Sequence, residues 1–201
     1  MALAPLARAT GYGVNALSIH NKEVIIAPSV MKDLAAGLEG PLLLPGNPAY
    51  EEARLVLNPT IDKHPALIVQ PHAVADVSRA VQFAQSWGLP TAIKCGGHSA
   101  SGKGTVNGGV LIDLSQFRHV RIDPERRVAH VSGGSLLGAM DHESLARGLV
   151  TTAGTVSHTG VGGLATGGGF GRLARKHGLT LDNIRAVDVV SADGKLRHAS
   201  A

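Results

Sequence analysis

A lone cysteine, Cys95, supplies the only thiol in 201 residues. No disulfide can form within the chain, and a zinc site made of cysteines alone is excluded. Aromatic residues are almost as scarce, six in all, and the Lys and Arg residues are scattered. A binder of single-stranded nucleic acid needs a basic groove with stacking platforms. The formal charge of +4 therefore reads as tolerance for anionic ligands, and no nucleic-acid partner is expected. No run approaches the ~20 apolar residues of a membrane span. The first twenty residues carry one Arg and no apolar stretch of signal-peptide length. A cytoplasmic protein without membrane contact is the expectation.

What the chain has in excess is glycine, 26 of 201 residues, against roughly 7% in average proteins. Without a repeating three-residue period, glycine at that level implies backbone brought close to something bulky and polar, a nucleotide or cofactor above all. With 44% hydrophobic and 17% charged residues, the chain has the composition of a globular fold.

Residues 1–28 are weakly patterned and read as a lead-in. A short helix is predicted over Val30 to Leu38 with Ser29 as N-cap, and another from Tyr50 to Leu57. Pro41 to Pro45 reads as an extended bridge. From Pro65 the pattern sharpens. Ala66 to Val69 is a buried strand, followed by a thirteen-residue helix from Val74 that Gly88 stops, then a strand at Thr91 to Lys94. Val110 to Leu114 is a third strand. Val120 to Ile122 and Val128 to Val131 pair across a turn at Asp123 to Arg126. Ser135 is placed as the cap of a helix running to Arg147, and a type I′ hairpin turn at Asp193-Gly194. The class is α+β, divided as a lead-in with short helices over residues 1–60 and a ligand-binding domain over 61–201.

Two glycine loops lie inside that pattern. The first is Cys95-Gly96-Gly97-His98-Ser99, leading into Gly102-Lys103-Gly104. Its successive N–H groups can converge on a phosphate without a cation. It nearly spells a Walker A loop, but Gly104 stands where a Ser or Thr must hold Mg²⁺, and no helical pattern follows. The second loop, Gly160 to Gly171, has seven glycines in twelve residues. It departs from the Rossmann fingerprint, with Ala165 at the third glycine position and a polar segment, not a strand, before it. Cys95 and His98 have C-x-x-H spacing, two ligands short of a metal site. Cys95 reads as a small residue packed under the loop, and Arg172, Arg175, Lys176 and His177 as a solvated face. His158 either faces a ring held between the loops or is an ordinary loop histidine.

Together these segments resemble the flavin-binding domain of the p-cresol methylhydroxylase/vanillyl alcohol oxidase superfamily, nearest its berberine-bridge-enzyme-like branch. The likeness is carried by Pro65 to Val69, Gly96-Gly97-His98-Ser99, Val110 to Ser115, Thr159-Gly160-Val161-Gly162-Gly163 with Gly167-Gly168-Gly169, Gly178 to Asn183, and Ala192-Asp193-Gly194. It implies two small α/β subdomains holding FAD between them. The cofactor-binding residues it implies are Cys95, Gly96, Gly97, His98, Ser99, Thr155, Thr159, Gly160, Gly162, Gly163, Gly167 and Gly168. His98 matches the histidine that many members bond to the flavin 8α carbon; the plainer role is a hydrogen bond to phosphate. The cysteine that some members link to flavin C6 corresponds to Val156, so no second, cysteinyl link is expected.

The resemblance implies oxidation of a small-molecule substrate, with hydride passing to flavin N5 and dioxygen restoring the cofactor. It also implies that the substrate domain and catalytic base follow the counterpart of Ala201. The chain is thus expected to be truncated at its C-terminus, inactive alone, and prone to pair with the missing domain or with itself. The alternative is a non-catalytic flavin-binding remnant of a truncated gene.

Overall fold

The computed structural model describes residues 13–200, together with the backbone of Ala9–Thr10. Three antiparallel strands come first: β1 (Ala9–Thr10), β2 (Gly13–Leu17) and β3 (Glu23–Ile26). The lead-in reading is corrected here from residue 13 onward; most of the positions before it lie outside the described residues. Val14 and Ala16 alternate inward with Asn15 outward, and with Ile26 they enter the main core. That alternation spans too few residues to stand out in sequence.

Helix α1 (Pro28–Ala36) starts before the expected Val30, with Ala27 rather than Ser29 as N-cap. Pro28 takes the first helical position, where its missing N–H costs nothing. After β4 (Leu42–Leu43), α2 (Tyr50–Arg54) stops short of Leu57. The carbonyls of Ala53 and Leu55 accept from the Lys94 ammonium instead of continuing the helix. Then follow β5 (Leu67–Val69), the thirteen-residue α3 (Val74–Ser86), β6 (Thr91–Lys94) and β7 (Val110–Asp113). The expected strand end at Leu114 becomes a 3-10 turn, Leu114–Gln116, because the Asp113 carboxylate accepts from the Ser115 amide.

These strands form one sheet ordered β4-β5-β7-β6, with β5, β7 and β6 parallel. Every residue of β5 and β7 is buried, as parallel strands covered on both faces require. α3 is fixed at its start by Asp76, whose carboxylate accepts from the amides of Glu39, Gly40, His72 and Ala73. Packing runs across residue 60: Tyr50 and Ala53 share a core with Ile68 and Leu111.

The second unit contains the hairpin β8 (Val120–Asp123) and β9 (Val128–Val131), then α4 (Leu137–Leu145). Ser135 does not cap this helix. Its hydroxyl donates to the His119 carbonyl, and Leu136 is the N-cap. Helices α5 (Val161–Thr166) and α6 (Ala174–His177) and the hairpin β10 (Ala186–Val190) and β11 (Leu196–Ser200) complete the chain. A small separate core joins Leu137, Met140 and Ala153 to Val131, Val161 and Leu164. The last turn is not type I′, which needs positive φ at both central residues. Only Gly194 has it. The Asp193 carboxylate accepts from the Ser191 hydroxyl and the Lys195 amide, making a three-residue loop of Ala192, Asp193 and Gly194. Among the described residues, no helix is long and apolar enough to cross a membrane.

Candidate functional site

The first glycine loop leaves the carboxyl end of β6, the edge of a parallel sheet where open α/β folds bind ligands. Gly97 turns the chain with φ +72 and its carbonyl accepts from the Leu57 amide at 3.0 Å. The foundation beneath it is Lys94. Its ammonium lies 3.3 Å from Asp113 Oδ2 and donates to the carbonyls of Ala53 and Leu55, with the two side chains 9% and 1% exposed. Asp113 also accepts from Gln70 Nε2 at 2.8 Å and from the Ser115 amide and hydroxyl. A charge network is thus built under the loop, leaving the loop's own donors uncommitted. Among the described residues, the amides of Gly96, Gly97, His98 and Ser99 donate to no protein acceptor.

The second glycine segment is mostly not a loop. α5 occupies its first half, with Gly160 as N-cap and Gly167 as C-cap. The preceding stretch is tied to α4: the Leu137 amide donates to the Thr159 carbonyl at 3.0 Å, and the Gly138 amide to the Ser157 carbonyl at 2.8 Å. Thr155, Val156, Ser157 and His158 are exposed along it. The two segments meet back to back at Gly96 and Gly160. A Cβ on either would press into the other's backbone nitrogen, and one on Gly162 would lie 2.9 Å from the Cys95 sulfur. Only glycine permits this approach. Gly163 faces open space. Gly167 and Gly168 lie beyond α5, roughly 9 Å along the axis at 1.5 Å per residue.

This meeting brings together two histidines sixty positions apart in sequence. His98 Nε2 lies 2.7 Å from His158 Nδ1, and the ring centroids are 4.7 Å apart. The structure places His158 against His98, a contact that neither reading of it specified. Cys95 packs under the loop as expected. Burial pushes its thiol pKa up, with the Asp113 charge adding to the effect, against the opposing Gly163 amide; a thiol so placed stays protonated. Arg172, Arg175, Lys176 and His177 are exposed. Among the described residues, no three His, Cys, Asp or Glu side chains gather as metal ligands.

The FAD binding domain family matches residues 65–200. This chain belongs to that family. Among curated relatives, an FAD-linked oxidoreductase of Dictyostelium discoideum is 33% identical over 171 residues, covering 85% of this chain and 37% of the relative. Two solved structures carry the likeness into three dimensions. A berberine-bridge-enzyme-like protein of Physcomitrella patens has a TM-score of 0.77 at 31% identity, over 85% of this chain and 37% of that one. Glucooligosaccharide oxidase from Acremonium strictum, described as carrying 6-S-cysteinyl, 8α-N1-histidyl FAD, has a TM-score of 0.79 at 32% identity, over 86% and 36%. The expected FAD-linked oxidoreductase family, its berberine-bridge-like branch and the flavin-domain fold are borne out. The chain spans little more than a third of the length of these proteins.

The residues present fit FAD. Four adjacent amides without protein acceptors match the oxygens of a pyrophosphate, and the positive φ of Gly97 turns the chain between them. Lys94 and His158 are what the sequence alone did not assign. The signal for Lys94 is a charged residue at the end of a strand whose pattern is otherwise Thr91-Ala92-Ile93. His158 is marked in sequence by its place between the two binding stretches, but its pairing with His98 is not legible until the two glycine segments are known to touch.

Proposed function

We propose that this chain is the cofactor-holding part of a flavin-dependent oxidase, with FAD bound on the Gly96–Ser99 amides and bonded to His98. The uncommitted amides of that loop, at the carboxyl edge of the sheet, carry the reading. Bound there, FAD supplies the redox chemistry, accepting hydride at N5 from a small organic substrate and returning the electrons to dioxygen.

The chain's own residues hold and orient. The amides of Gly96, Gly97, His98 and Ser99 neutralise the pyrophosphate by hydrogen bonds from fixed backbone, with no reorganisation on binding. Thr155 and Thr159 form the facing wall and Gly163 leaves room for the ligand, while Gly160 and Gly162, packed against Gly96 and Cys95, hold that wall to the loop. Val156 offers no thiol, so the link at His98 stands alone. We assign the substrate-choosing surface and the catalytic base to a further domain; the share of the relatives that this chain spans supports that division.

The test is to supply FAD, precipitate the protein with acid, and record flavin absorbance in pellet and supernatant. Flavin is expected in the wild-type pellet and only in the supernatant for His98→Ala. Equal attachment in that variant refutes the link, and an absence of flavin from both fractions refutes the binding role.

A further inference from the structure

The contact between His98 Nε2 and His158 Nδ1, 2.7 Å apart, requires a proton on one of the two nitrogens. Among the described residues, neither ring has another hydrogen-bond partner in the protein, so the pair itself settles which. A neutral, solvent-exposed imidazole favours the tautomer protonated at Nε2. If both rings keep that form, His98 Nε2–H donates to the lone pair of His158 Nδ1 and both preferences are met. The opposite arrangement forces both rings into the minor form. The first arrangement leaves His98 Nδ1 bare. The hydrogen bond made by one ring nitrogen sets the state of the other, and a bare imidazole nitrogen is a nucleophile.

We propose that His158 fixes His98 in this tautomer, presenting Nδ1 as the nitrogen that bonds to the flavin, and takes the Nε2 proton as that bond forms. The inference rests on the FAD reading above and adds a positioning residue; the nitrogen it exposes is the one named in the N1-histidyl link of the Acremonium strictum oxidase. In the attachment, an Nδ1–C bond replaces one C–H bond of the flavin 8α-methyl group. That methyl proton leaves to solvent, and the Nε2 proton passes to His158. The electron pair of the C–H bond enters the flavin ring, and dioxygen removes it, forming hydrogen peroxide with the two protons. His158 stays unmodified and returns its proton to water. Its place is fixed by backbone: the Gly138 amide on the Ser157 carbonyl holds the residue before it, and the Gly96–Gly160 contact sets the gap between the rings.

Two measurements test this on the chain as it stands. In the flavin-free protein, nitrogen-15 NMR of the imidazole rings is expected to show His98 protonated at Nε2 and bare at Nδ1. Protonation of His98 at Nδ1 would overturn the proposal without touching the FAD reading. With FAD supplied in air, the rate at which flavin becomes acid-stable is compared among wild type, His158→Ala and His158→Asn. The alanine variant is expected to attach flavin at least tenfold more slowly while binding FAD reversibly with wild-type affinity. Asparagine keeps an acceptor oxygen near the Nδ1 position and is expected to recover part of the rate, and free imidazole to accelerate the alanine variant. Wild-type rates in His158→Ala, or flavin held only reversibly by the wild type, overturn the role of His158. Failure of the wild type to bind FAD at all overturns both this and the reading beneath it.

Discussion

Lys94 is the buried charge on which the phosphate loop stands, and Lys94→Met tests that directly. The substitution removes the ammonium 3.3 Å from an Asp113 carboxylate that is 1% exposed. Breaking a buried ion pair from one side costs about 3–5 kcal/mol, because a charge is left without its partner. Asp113 keeps its bonds from Gln70 Nε2 and from the Ser115 amide and hydroxyl, which places the cost near the low end, about 3 kcal/mol. The Ala53 and Leu55 carbonyls also lose their donor, adding about 1 kcal/mol. At roughly 2–4 °C per kcal/mol for a domain of this size, Tm should fall by about 8–16 °C.

Thermal unfolding of wild type, Lys94→Met and Lys94→Met/Asp113→Asn reads the outcome. The double variant removes the orphaned charge while keeping an acceptor for the Ser115 amide, and should regain about half of the loss. FAD affinity should drop in Lys94→Met well below the melting temperature, because the freed 53–57 segment carries the Leu57 amide that holds the Gly97 carbonyl. A Tm within 3 °C of wild type, on an uncertainty of about 1 kcal/mol, or a double variant no better than the single one, would refute the reasoning.

Three further outcomes follow from other contacts. Burial works against ionisation of Asp76, yet the amides of Glu39, His72, Gly40 and Ala73 outweigh it and hold the carboxyl below its usual range. Its stabilisation is therefore complete above the unfolded carboxylate pKa, about 3.9, and is lost as pH falls through the lower folded value. Asp76→Asn should melt well below wild type at pH 7, with the gap narrowing progressively as pH falls below about 3.9; a gap that stays constant through that range would sink the assignment. Gly160→Ala should cost about 1–3 kcal/mol as the two segments part, and should abolish the NMR signature of the His98–His158 hydrogen bond; a retained signature would show that the contact at Gly96 is not needed. Tyr50 donates to the Pro65 carbonyl at 2.6 Å, and burial pushes its phenol up to about 12, with the Arg54 charge opposing. Tyr50→Phe should lose about 1–2 kcal/mol in urea unfolding, and wild type alone should also lose stability as pH rises from 10 toward 12. Retention of wild-type stability by the variant at pH 7 would mean that the bond is worth nothing.

The parallel sheet was legible because its strands are buried on both faces and read as unbroken apolar runs, as in Leu67-Ile68-Val69. The length of α3 was legible because Gly88 follows a helical pattern of thirteen residues, although the face it buries is Asp76, Ala80 and Ala84, while Val74 is exposed. The misread positions have different causes: at Ser29 the helix begins earlier, with Pro28 in its first turn and Ala27 as N-cap, whereas Ser135 and Asp193 are taken up by other partners. The His119 carbonyl took the Ser135 hydroxyl, and the Ser191 hydroxyl with the Lys195 amide took the Asp193 carboxylate. The β2–β3 hairpin was missed because its alternation is too brief to register.

The candidate site shows the same limit more sharply. Gly96 and Gly160 each announce a close approach of backbone, but a glycine gives no indication of what approaches it. Two glycine loops in one chain suggest two walls of one site, with both glycines facing a cofactor. In the structure these two glycines face each other, and the pressure for glycine there comes from loop against loop. Gly97 and Gly163 answer to different demands, a positive φ in one and open space in the other. The contact between segments has a chemical consequence beyond packing. Because Gly96 and Gly160 touch, the side chains two residues from each, His98 and His158, are brought within hydrogen-bonding distance. A larger residue at either glycine would separate the rings, so the steric demand for glycine at both positions and the His98–His158 contact are one constraint.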